Sequence, residues 1–269
     1  MNKKKIIFSS CFYIFKSKFP SDTYIKWMNN FISIVNDNIY LVIYTNKETI
    51  PYIDTKNNPN IHVVIKPITE FYGYKYKNEW IRNHEKNVLL NNKVEWEINM
   101  LWNEKINFVY ETYKNDYFQC RELKMPLGWC DIGYFRDRHN DERMTNLKLW
   151  GKNLSKIDIT RINYACVNIN NMVTLKRSIN IVNGLPDPLI PDNQVSIAGG
   201  FFVISGYLIN WWRSIYYDKL SLYFQNNLLV KDDQIIILTC ILEHFYNFKL
   251  HIESSNQYDN WFMFQRILN

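Results

Sequence analysis

Glycine is scarce in this chain, with 8 among 269 residues, and the motifs that cradle phosphates on glycine-rich turns are missing. There is no Gly-x-x-x-x-Gly-Lys and no Gly-x-Gly-x-x-Gly, which excludes the commonest ATPase and dinucleotide sites; the lack of His-Glu-x-x-His removes the usual zinc protease. No stretch reaches the ~18 unbroken apolar residues that a spanning helix needs, so no transmembrane segment is expected and the chain should be soluble. The start, Lys3-Lys4-Lys5 followed by Ile6 to Phe15, imitates a signal peptide. Ser9, Ser10 and Lys16 interrupt it and no small-residue cleavage site follows, so a first buried strand is the expectation. The five cysteines, at positions 11, 120, 130, 166 and 240, contain no Cys-x-x-Cys pair. Such an odd, scattered set points to reduced thiols in a cytoplasmic compartment, with neither a disulfide frame nor a zinc knuckle. No internal repeat or low-complexity tract appears. The net charge of +6 is spread along the chain. A phosphate-bearing small ligand therefore fits as well as a nucleic acid, and no basic stripe or RNA-binding signature favours the latter.

What the chain does have is aromatic residues, at 16%, which suits an interior or groove lined by rings, and enough length for one well-filled α/β domain over 1–269. Residues 5–13 read as a first strand. Pro20-Ser21-Asp22 then supplies a turn and cap before Thr23 to Val35, where Tyr24, Trp27, Met28, Phe31 and Ile32 recur at helical spacing. Ile39 to Tyr44 and Ile61 to Ile65 are continuous apolar runs of strand length. Short buried runs separated by helical stretches indicate a mostly parallel sheet with helices on both faces. Trp96 to Tyr117 reads as one long amphipathic helix with Lys105 set among its apolar residues, either snorkelling or aimed at a ligand. If it is an unpaired cation awaiting a phosphate, Lys105→Met should keep or raise stability. A strand is expected at Tyr164 to Ile169. The turn-rich Asn183 to Asn193, with three prolines, reads as an irregular flap.

Three stretches carry candidate chemistry. Pro126, Leu127 and Gly128 break whatever precedes them, and the apolar Trp129-Cys130 then reads as a strand that stops at Asp131, followed by Gly133; ligands collect beyond the carboxyl ends of strands in open α/β sheets, although Asp131 taken alone is first of all a turn or helix-cap acid. Gly199-Gly200 inside the strand-like Ser196 to Gly206 indicates a bulge or a close backbone approach, to a ligand or to a neighbouring strand, with Ser205 placed to cap the next helix. Lys231-Asp232-Asp233-Gln234 opens an apolar helix over Ile235 to Phe245, where an Asp is first of all a cap.

In this order, Trp129-Cys130-Asp131-Ile132-Gly133-Tyr134-Phe135-Arg136, Ile197-Ala198-Gly199-Gly200-Phe201-Phe202 and Lys231-Asp232-Asp233-Gln234 together resemble the bacterial HtrL/YibB family. Leu41 to Glu48 and Leu101-Trp102-Asn103-Glu104-Lys105-Ile106 are supporting matches, so the resemblance covers most of the chain. The family looks like glycosyltransferases of the GT-A fold, a Rossmann-like mixed sheet, and also occurs in giant viruses; Asn, Lys and Ile usage suits a viral or AT-rich microbial source, in which case the host cytoplasm is the expected location. The resemblance implies transfer of a sugar from a UDP- or GDP-sugar to a hydroxyl of a glycan, lipid or protein, with Mn²⁺ or Mg²⁺ bridging the diphosphate to an Asp-x-Asp motif. Here that motif is Asp131-Ile132-Gly133, without its second acid, and His251 is the candidate for a further metal ligand beside Asp131. Donor contacts are implied for Ser9, Ser10, Lys105, Asp131, Gly133, Arg136, Gly199, Gly200 and Gln234, and catalysis for Asp233 with Asp232. The missing acid leaves a second reading, a non-catalytic protein of the same fold that binds a nucleotide sugar or glycan.

Overall fold

The computed structural model describes residues 5–136, 147–253 and 258–269. Arg136 to Arg143, charge-rich and expected from the sequence to be exposed, lies outside the described residues beyond Arg136. In chain order the elements begin with β1 (Ile6–Phe12), α1 (Ser21–Ile34), β2 (Ile39–Thr45), β3 (Ile61–Ile65), α2 (Lys77–Lys86), α3 (Trp96–Asn103), α4 (Lys105–Lys114) and β4 (Leu127–Cys130). They continue with β5 (Ile162–Cys166), α5 (Ile169–Ser178), β6 (Asn180–Val182), β7 (Leu185–Asp187), β8 (Ile197–Ile204), α6 (Gly206–Gln225), α7 (Asp233–Glu243), β9 (Phe248–His251) and α8 (Met263–Ile267). Seven strands form one sheet in the order β3-β2-β1-β4-β8-β5-β9. All neighbours are parallel except β8, which runs antiparallel to both β4 and β5. The result is the mostly parallel, mixed α/β sheet that the apolar runs predict.

Both faces of that sheet are buried, which is why its central strands lack polar alternation. Ile7, Val42, Tyr44, Trp129, Phe202 and Ile204 pack against α3, α4, α6 and α7 on one face. On the other, Ile6, Phe8, Leu41, Ile43, Phe201 and Val203 pack against α1 and α8. Among the described residues no helix is long and apolar enough to cross a membrane.

Four local expectations are corrected. The long helix is broken at Glu104, where the Glu104 N–H turns to Leu101 three residues back, and the Asn103 carbonyl accepts from the Tyr217 hydroxyl. The strand placed at Tyr164 to Ile169 is β5, which ends at Cys166; Asn168 caps α5 by accepting from Asn171 N. The flap instead starts with a hairpin, β6 to β7, turned by Asn183 and Gly184 at φ 51° and 80°. Asn-Gly at two positive φ values is the turn whose twist suits a two-residue hairpin, and Pro186 is accommodated in so short a strand pair. Ser205 precedes α6, but its hydroxyl makes no capping bond.

Candidate functional site

A cleft of about 490 Å³ opens where β1 and β4 end, β8 begins and α7 starts. Its walls come from the residues after β1, from α3, from the first residue of α4, from the turn after β4, from the glycines of β8 and from Asp259 to Phe262. This is the position at which an α/β sheet of this kind collects ligands, because strand ends and helix starts converge there.

At its floor, Lys105 joins three of the predicted residues. Its ammonium lies 3.0 Å from the Gly199 carbonyl, 3.2 Å from Asp131 Oδ1 and 2.9 Å from Asp233 Oδ2. The ammonium thus donates to the Gly199 carbonyl and is ion-paired with both carboxylates. The expectation of an unpaired cation is therefore corrected: Lys105 is the counter-ion of two carboxylates. Burial alone pulls its pKa down, but Asp131 and then Asp233 outweigh that, and the net direction is upward. Asp233 is buried, and desolvation lifts its carboxyl to about 6 despite the opposing pull of Lys105, with Asp232 adding to the rise.

The glycine pair explains how two acids share this space. Asp131 N donates to Gly200 O, one step past the Cys130 to Phe201 pairing of β4 with β8, so the Asp131 side chain stands over Gly200. A Cβ on Gly200 would lie 3.0 Å from Asp131 Oδ2, and one on Gly199 would lie 2.6 Å from Asp233 Oδ2. The close approach anticipated from the sequence is thus to carboxylates of the protein itself. Gly199→Ala is expected to destabilise by about 1–3 kcal/mol, the usual cost of overpacking, and Gly200→Ala by less, as read by thermal denaturation. Equal losses would contradict this packing.

Asp232 is the cap of α7: its Oδ1 accepts from Gln234 N at 3.1 Å, while Oδ2 pairs with Lys231 at 3.1 Å. Gln234 and Gly133 line the cleft; Gly133 faces Trp27, whose ring a Cβ would meet at 2.9 Å. Arg136 also lines it, with its guanidinium between the rings of Phe19, Trp27 and Phe262 and its Nε donating to the Gly133 carbonyl.

Two assignments are corrected. Ser9 and Ser10 lie within β1, which runs on in register with β2 to Phe12 opposite Thr45; both are fully buried, and Ser9 Oγ lies 2.7 Å from Thr112 Oγ1. The cleft takes Cys11, Phe12 and Tyr13 from this strand end instead. His251 does not line the cleft; its Nε2 lies 2.9 Å from Asn163 Oδ1, its ring packs on Phe264, and desolvation draws its pKa down to about 4. The donor set does not suit a divalent cation. Asp131 Oδ1 already accepts the Trp129 indole N–H at 2.6 Å and faces Lys105, which also holds Asp233. Among the described residues no three His, Cys, Asp or Glu side chains converge as metal ligands.

Sequence reasoning missed Lys18, Trp102, Trp261 and Glu104. Lys18 and Trp102 meet at the cleft, with the ammonium 4.8 Å from the ring centroid. Glu104 supports the floor from behind: it is fully buried and accepts from Tyr72 N at 2.7 Å, Gly73 N at 2.9 Å, Asn107 Nδ2 at 2.8 Å and Tyr217 Oη at 3.3 Å. Desolvation nevertheless raises its carboxyl to about 7. A charged residue beside Lys105 in an otherwise apolar run was the available signal. No protein-family model matches this chain, and no curated protein sequence matches it significantly.

Proposed function

We propose that this protein is a glycosyltransferase that moves a sugar from a nucleotide-diphosphate donor, a UDP- or GDP-sugar, to a hydroxyl of a glycan, lipid or protein. One observation carries the reading: a buried carboxylate, Asp233, is held near neutrality in a ring-lined cleft at strand ends, beside a second acid, Asp131. The ordered resemblance of the Asp131, Gly199-Gly200 and Asp232-Asp233 stretches supports it.

In the inverting course the acceptor oxygen attacks the anomeric carbon, its proton passes to Asp233, and the bond to the diphosphate breaks with its electron pair leaving on the phosphate oxygen. A base works best when its pKa lies near the operating pH, because it is then both largely ionised and still willing to take a proton. Asp233, at about 6, meets that condition. Asp131, more open to solvent than Asp233, is placed to orient donor hydroxyls, and the rings around it suit a base and a sugar face.

The test is release of nucleoside diphosphate from a panel of UDP- and GDP-sugars between pH 5 and 8. A deprotonated Asp233 is the active form, so the rate is expected to rise through about pH 6 and then level off. The non-catalytic reading is favoured by one observation, the engagement of both acids by Lys105. Donor binding with neither transfer nor slow hydrolysis across the panel would establish it instead.

A further inference from the structure

The cation that a diphosphate site needs can be sought in the cleft's own side chains. The position between Asp131 and Asp233 belongs to Lys105, which donates to Gly199 O and is ion-paired with both carboxylates. A divalent ion brought to Asp131 would sit against that ammonium and would find one carboxylate oxygen turned away from it, Oδ2, pressed on Gly200. The charge of Lys105 for its part is already matched by two carboxylates, and Lys105 could serve a phosphate only at their expense.

Lys18 is placed differently. It lies on the segment between β1 and α1, is exposed at the cleft, and makes no hydrogen bond and no ion pair among the described residues. Its ammonium rests on the face of Trp102, an arrangement that holds a cation in place without neutralising it. The end of its side chain is sheltered enough that desolvation draws its pKa down, while Asp232 and Asp233 pull it back. A fixed, unneutralised cation at the rim and a sealed one at the floor leave Lys18 as the group that meets an incoming anion.

We propose that the cleft binds its phosphorylated donor without a divalent cation, with Lys18 as the residue that contacts the diphosphate and Lys105 as the built-in counter-ion of Asp131 and Asp233. The inference rests on the reading of the cleft as a nucleotide-sugar site. It replaces the metal that the resemblance implies with two lysines of distinct duty. When the bond from sugar to diphosphate breaks, the additional negative charge on the leaving phosphate oxygen is met by the protonated Lys18, which neither gains nor loses a proton, while the acceptor proton resides on Asp233.

The experiment is calorimetric titration of UDP, GDP and their sugars into the full chain, in chelator and again with Mn²⁺, for wild type, Lys18→Met and Lys18→Arg. Binding in chelator that Mn²⁺ does not strengthen, with a loss of about tenfold or more in Lys18→Met and retention in Lys18→Arg, is the expected result; tenfold is the scale of one hydrogen bond to a charged group. Thermal melting of Lys18→Met should match wild type, because the substitution gives up no hydrogen bond or ion pair among the described residues and Met can still cover the Trp102 ring. Binding that requires Mn²⁺, or that is unchanged in Lys18→Met, overturns the inference while leaving the nucleotide-sugar reading in place. No binding of any nucleotide in either condition overturns both.

Discussion

Asp233→Asn is expected to fold, to bind donor within about threefold of wild type, and to lose about 10²–10⁴-fold in transfer rate, the range spanned by removal of a positioned general base. The substitution isolates proton acceptance because it keeps everything else. Asn matches Asp in shape, so it fits against the Gly199 Cα, where nothing larger than hydrogen is tolerated. Its amide oxygen can still accept from Lys105, which retains Asp131 and the Gly199 carbonyl. Asp232→Asn should be far milder, since Asp232 is the residue that caps α7 and Asn caps a helix about as well; what is lost is the pairing with Lys231 and a dipole contribution of roughly 0.3–1 kcal/mol. Turnover of both variants at the wild-type rate on an identified acceptor would remove the acids from the chemistry.

Lys105→Met should cost about 3–5 kcal/mol of stability, because breaking a buried pair strands a charge where water cannot reach it. Asp233 is that charge, and its carboxyl is already raised to about 6 with Lys105 in place. Without Lys105 the pKa moves further up. A carboxylate whose folded pKa exceeds its unfolded value favours the folded state at low pH and loses that contribution as pH rises through the folded pKa. The variant should accordingly be weakest near neutrality and recover toward pH 5, where Asp233 is protonated. Lys105→Met combined with Asp233→Asn should regain much of the loss. Denaturant titrations of the two variants at pH 5 and pH 7.5 measure all of this. A loss under about 1 kcal/mol, independent of pH, would mean that the pair does not hold the floor of the cleft together.

The strands were legible because a sheet covered on both faces writes apolar runs into the chain, and Ile39 to Thr45 carries that signature; Ile61 to Ile65, half-exposed at the sheet's end, was legible from its length and β-branched residues alone. Asp131 was legible for a related reason: the apolar run of β4 ends there, at the carboxyl end of a central strand where ligands gather. The glycine pair could be recognised as a close approach, but its partner could not, since Asp233 reaches Gly199 from a helix more than thirty residues away in sequence. The same limit governs Lys105. A lone lysine in a helical stretch reads as an ion without a counter-ion until the fold brings Asp131 and Asp233 to it from two other elements. Ser9 and Ser10 were implied as donor contacts by the resemblance alone, whereas each sits in the packed interior of β1. Lys18 escaped notice although it follows the strand's true end, in the segment where the same strand-end rule would have placed a ligand contact. His251 could be foreseen at the end of a strand, but β9 lies beyond β5 at the far edge of the sheet, and pairing order of that kind is not written in local sequence.

The measurement closest to the central claim is a crystal structure of the protein with a nucleotide sugar bound, collected on the Asp233→Asn variant so that the donor stays intact. The diphosphate is expected in the cleft within hydrogen-bonding reach of Lys18, with the sugar over Gly199 and Gly200 and its anomeric carbon beside residue 233. A nucleotide bound elsewhere on the molecule, or a cleft left empty at donor concentrations that saturate binding in solution, would contradict it.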